Sequence, residues 1–77
     1  MNNPIFNAIE AGSYTAGEAV ELDAKLSKVV PSEVPDDKVK SMIDYIDFRF
    51  LHQAVVPSMQ DDLRQLHRAL SDRHFAG

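Results

Sequence analysis

Apolar residues recur along this chain at spacings of three and four, the period of helices packed on one side. Ile5, Phe6 and Ile9 form a short first face that Gly12 ends, and Asn3 before Pro4 reads as a helix cap and first helical residue. Thr15-Ala-Gly-Glu18 has the spacing of a capping box, in which a hydroxyl and a carboxylate each satisfy a free N–H at a helix start. The stripe that follows, Ala19, Leu22, Leu26, Val29 and Val30, predicts an amphipathic helix over 16–30, with Glu21 and Lys25 paired on its opposite face. Pro31 and Pro35 bracket a loop, because proline disfavours helical geometry in the residue before it.

Asp36 and Asp37 suit the first turn of a third helix, where negative charge meets the positive end of the dipole. Its core stripe runs Val39, Met42, Ile43, Ile46, Phe50 and Ala54. Continued in phase, that stripe would bury Gln53, Pro57, Gln60 and Arg64, which are poor core residues. Met59, Leu63, Leu66 and Leu70 instead make a coherent face only after a fresh start, and an interior proline costs about 3 kcal/mol. The pattern therefore predicts a break at Pro57, with Ser58 as cap of a new helix and Asp61 in its first turn. The predicted helices are 4–11, 16–30, 36–56 and 59–74, the last two folded back as an antiparallel hairpin. The fold class is all-α, a small helical bundle in a single domain.

Phe48, Leu51 and Val55 lie roughly opposite the core stripe and would align with Met59 in a continuous helix. A helix apolar on two sides is buried on two sides. The second side is covered by the N-terminal helices, by a second copy of the chain, or by a different partner.

Composition narrows these possibilities. A chain of 77 residues buries only about 60% of the surface its unfolded form exposes, so added support such as self-association is valuable. The absence of cysteine removes disulfides and thiolate metal sites and suits a reducing, cytoplasmic setting. No apolar run approaches the roughly 20 residues of a membrane span, and the start lacks the pattern of a secretory signal. A net charge of −4 argues against a phosphate backbone as partner. The charge is uneven, with seven acids against two lysines in residues 1–37 and six bases against five acids in 38–77.

No reactive constellation stands out. His67 and His74 are about 10.5 Å apart along a helix, too far to share one zinc ion, and His52 lies elsewhere. Asp44 and Asp47 share a face with Lys40, which reads as wet and neutralised rather than as an acid–base pair. Ser71 and His74 lack an orienting group and an oxyanion site. The acids Asp61 and Asp62 belong to a helix start. Neither a metal nor a cofactor is expected.

Residues 9–28 resemble a helix-turn-helix in outline, but its second helix would offer Glu18, Glu21 and Asp23 to DNA, with only Lys25 and Lys28 to help. Arg64 and Arg68 fall with Asp61 and Asp72 at ion-pairing spacings on the last helix. Arg73 beside Phe75 has the composition of a binding contact. The expectation is a non-enzymatic protein that binds another protein as adaptor, inhibitor or regulatory subunit, as a homodimer. Its expected contact residues are Phe48, Leu51, Val55 and Met59, with Arg73 and Phe75 as outer contacts. The alternative is a small DNA-binding regulator using the arginines of the last helix or the segment 5–30.

Overall fold

In a computed structural model that describes residues 4–76, the chain forms four α-helices: α1 (Pro4–Ala11), α2 (Ala16–Leu26), α3 (Asp36–Leu51) and α4 (Pro57–Ala76). A single 3-10 turn, Pro31–Glu33, lies between α2 and α3. The described residues contain no strand, and the fold is an all-α bundle. Asn3, expected to cap α1, lies outside the described residues.

α1 ends where Gly12 takes φ +70° and its N–H reaches back to the carbonyls of Ala8 and Ile9, a backbone shape that costs glycine little. α2 opens on the capping box read from the sequence. The Thr15 hydroxyl accepts from the Glu18 N–H, and a Glu18 carboxylate oxygen accepts from the Thr15 N–H, each at 3.2 Å. α2 stops at Leu26, four residues earlier than the stripe predicts. The Ser27 hydroxyl donates to the Ala24 carbonyl at 2.7 Å, drawing the chain into a turn that leaves Val30 half exposed rather than in the core.

α3 and α4 form the hairpin, and pairs across it show its direction. Asp36 meets Arg73, Asp47 meets His67, and Phe50 meets Arg64, so the partner number falls on α4 as it rises on α3. The helix break occurs, but not with the predicted boundaries of 56 and 59. α3 ends at Leu51, and Gln53 adopts φ +53°. The Gln53 N–H donates to the Phe50 carbonyl at 3.0 Å and the Ala54 N–H to the Arg49 carbonyl at 2.9 Å, the two bonds of a Schellman end. Pro57 is then the first residue of α4, where its missing N–H and fixed φ cost nothing. Ser58 therefore sits inside the helix rather than capping it.

The core joins Ile5, Phe6 and Ile9 of α1 to Leu22 and Leu26 of α2, Met42 and Ile46 of α3, and Leu63, Leu66 and Leu70 of α4. Val34, 1% exposed, plugs it from the loop. That loop is pinned by Arg73, whose guanidinium donates to the carbonyls of Pro31 (2.6 Å) and Val34 (2.8 Å) and to the Asp36 carboxylate.

Candidate functional site

Three features of the bundle are more than apolar packing: a buried charged cluster between α2 and α3, a polar seam along the outside of the hairpin, and exposed apolar side chains at the hairpin's two ends.

Asp23 and Arg49 are 1% and 7% exposed. The Arg49 Nη2 donates to Asp23 Oδ2 at 2.7 Å and Nε to the same carboxylate at 3.0 and 3.2 Å, a forked pairing that lysine could not reproduce. The Tyr45 hydroxyl lies 2.6 Å from Asp23 Oδ1 and 3.0 Å from the Ala19 carbonyl. Its single proton serves one acceptor at a time, and the shorter contact is to the carboxylate. Burial, followed by the neighbouring Asp23 carboxylate, raises the Tyr45 phenol far above the ordinary tyrosine value. Hydrogen bonding to Asp23 likewise raises Arg49, which stays charged. Arg49 also donates to the Ala54 carbonyl at 3.3 Å, tying the hairpin loop to the cluster.

This cluster makes Asp23 an internal residue, not one of the acids α2 turns outward. Its signal was present in the sequence, since Asp23 is four residues after Ala19 and three before Leu26, within the buried stripe, and Tyr45 and Arg49 are one turn apart on α3. Among the described residues no buried side-chain nitrogen or oxygen lacks a hydrogen-bond partner. The fully buried polar atoms of the cluster are therefore engaged with one another or with the Ala19 and Ala54 carbonyls.

The outer seam between α3 and α4 is lined by Lys40, Asp44 and Asp47 on one side and His67, Ser71 and Phe75 on the other. Lys40 pairs with Asp44 at 3.0 Å, as its spacing implies, while Asp47 turns across the hairpin to His67, 2.7 Å from Nε2. The two acids are thus engaged by different partners. On the α1 side, Glu10 bridges Lys38 (2.6 Å) and the Ser41 hydroxyl (3.1 Å). The Lys38 ammonium, with help from Ser41, holds the Glu10 carboxyl below its ordinary value, and Glu10 in turn raises Lys38. No group of three or more His, Cys, Asp or Glu side chains among the described residues is placed to hold a metal ion.

The six expected contact residues do not form one surface. Phe48 and Leu51 are 51% and 79% exposed on the last turn of α3, and Phe48 lies against the His52 ring with centroids 4.4 Å apart. Val55 is different: once α3 ends at Leu51 it belongs to the connecting loop and turns inward, 5% exposed. Met59 is half-buried against the core. Arg73 is occupied by loop carbonyls, so its guanidinium serves the fold. Phe75 is 82% exposed at the opposite end of the hairpin. The expected ion pairs of Arg64 and Arg68 with Asp61 and Asp72 do not form within 4 Å among the described residues. Arg64 instead lies over the Phe50 ring, 5.1 Å from its centroid.

Searches against family models, curated proteins and solved structures find no match for this chain. Among the described residues no helix is long and apolar enough to cross a membrane.

Proposed function

We propose that this protein acts by binding another protein, as an adaptor, inhibitor or regulatory subunit in the cytoplasm, and that it works as a homodimer without chemistry of its own. The observation that carries this reading is the pairing of Phe48 and Leu51, exposed side by side on the last turn of a helix whose other face is fixed in the core. Large apolar side chains held in water by a rigid element gain free energy on being covered, about 25 cal/mol per Å². The charged groups near them have partners of their own, Asp44 with Lys40 within α3 and Asp47 with His67 across the hairpin.

The test is light scattering across a concentration series on the wild type and on Phe48→Asp. The expected result is a mass above that of the monomer for the wild type and a folded, lighter variant. A wild type that stays monomeric, with a variant that unfolds, overturns the reading by making Phe48 an internal support. A folded variant of unchanged mass moves the contact to a partner other than a second copy.

The second reading is a small DNA-binding regulator, favoured by one observation: Arg64 and Arg68 carry no carboxylate within 4 Å among the described residues. α2 suits DNA less well, because Glu18 and Glu21 are exposed on it. Affinity for duplex DNA that falls steeply with added salt selects this reading, whereas a protein contact depends chiefly on Phe48 and Leu51.

A further inference from the structure

We propose that a second copy of this chain docks on the outer face of the α3–α4 hairpin in a two-fold arrangement that brings Phe75 of each copy to Leu51 of the other. The proposal rests on the protein-binding reading above and specifies its geometry.

Among the described residues Leu51 and Phe75 are the two most exposed large apolar side chains, at 79% and 82%. They belong to one face. Phe75 lines the seam together with Asp47, and Leu51 follows Asp47 by one helical turn on the same side of α3. They sit at opposite ends, because Arg64 lies beside Phe50 and Phe75 is a further 16 Å or so along α4. Between them Lys40 pairs with Asp44 and Asp47 with His67, while exposed Arg68, which like Arg64 has no carboxylate within 4 Å among the described residues, lies two turns before Phe75 on α4. Such a face is apolar at both ends and polar between them.

A two-fold interface uses the same patch twice, so each end must meet either itself or the other end. Charge selects the second. The Leu51 end carries Arg64, which has no carboxylate within 4 Å among the described residues. Joining like ends would set Arg64 against its own copy. The Phe75 end holds the carbonyl terminus of α4, with its partial negative charge, and Asp72, which has no cation within 4 Å among the described residues. Joining unlike ends therefore brings the free cation of one copy toward the negative end of the other.

The size of the face agrees with a dimer. A stable interface takes about 800 Å² from each partner, roughly one-sixth of the 5037 Å² exposed by this chain. α3 is 16 residues long, about 24 Å, and two such helices side by side span about 20 Å. Corrugated by side chains, that face is of the required order. The opposite side of the hairpin is already covered by α1 and α2.

The chain contains no cysteine, so single cysteines report contacts without background. Leu51→Cys and Phe75→Cys, both at exposed positions that leave the core intact, are oxidised separately and as an equimolar mixture. A disulfide needs Cα atoms within about 7 Å. The expected result is a disulfide-linked dimer that forms at least tenfold faster in the mixture than in either variant alone. Faster linkage within one variant, 51 to 51 or 75 to 75, overturns the end-to-opposite-end arrangement while leaving a protein contact in place. A wild type that is monomeric by light scattering at all concentrations, with no linkage in the mixture, overturns the dimer itself. In that case the protein-binding reading is judged separately, by whether Phe48→Asp abolishes capture of a different protein that a chain altered on the exposed face of α2, Glu21→Gln, still binds.

Discussion

Two boundaries of α3, with α4 and with α2, are built on different physics. Against α4 it packs closely, through Ile46, Leu63, Leu66 and Leu70 in an apolar contact. Against α2 no Cα comes within 8 Å, and the gap is spanned by the long side chains of Tyr45 and Arg49 reaching Asp23, with Tyr14 edge-on to Tyr45 at 5.7 Å. Apolar packing is forgiving of small shifts in register. A forked ion pair accepts one geometry, so the α2 boundary contributes less to net stability than to fixing where α2 sits.

The largest effect comes from breaking the ion pair on one side only. Arg49→Leu leaves the Asp23 carboxylate buried without its cation and is expected to cost about 3–5 kcal/mol in urea unfolding. The double variant Asp23→Leu, Arg49→Leu should recover most of that loss, because an apolar pair needs no desolvated charge. A double variant as unstable as the single would show that the pair contributes far more than specificity. Next in size is Leu70→Ala on the α4 boundary, where a fully buried leucine gives way to a cavity, with an expected loss of about 3 kcal/mol. Little loss there would mean that the hairpin is held by its polar seam.

Alkaline pH probes the α2 boundary from another direction. Because folding raises the Tyr45 phenol, the stability it contributes is complete below the unfolded tyrosine value near 10 and is lost as pH climbs toward the folded value. Above pH 10 the loss from this one group amounts to about 1.4 kcal/mol per pH unit. Lys38, also raised on folding, adds to the alkaline loss, so the comparison is with Tyr45→Phe, whose stability should fall less steeply over pH 10–11.5. Equal slopes would remove Tyr45 as the cause. The smallest effect is expected at the turn joining the two boundaries. Gln53→Gly relieves a left-handed backbone and should raise stability by up to about 1 kcal/mol, seen as a higher thermal midpoint.

That turn also marks where the sequence stopped being legible. The four helices, the capping box and the break near Pro57 follow from spacing and from proline chemistry, which act locally. The end of α3 at Leu51 does not, because its left-handed position is filled by Gln53 and not by the glycine that announces such an end at Gly12. Once that end moves, Val55 leaves the helix, and a face predicted from helical spacing loses one of its members. Asp23 escaped for a different reason: its place in the stripe of Ala19, Leu22 and Leu26 is legible, but its partners are 22 and 26 residues away, so local spacing does not name the groups that pair a carboxylate inside. Phe48, Leu51 and Phe75 are exposed, which their helical phase, off the core stripe, makes legible.

Arg73 gives the chain an order of events. The Pro31 and Val34 carbonyls that it binds precede it by 42 and 39 residues, so the segment carrying Val34 cannot take its final position until the last turns of α4 have formed and returned. Until then the loop of residues 31–35 lacks the donor that holds its carbonyls and is open to a protease. Afterwards they are closed by a side chain from the far turns of α4, and resistance to cleavage there reports that α4 has returned to this loop.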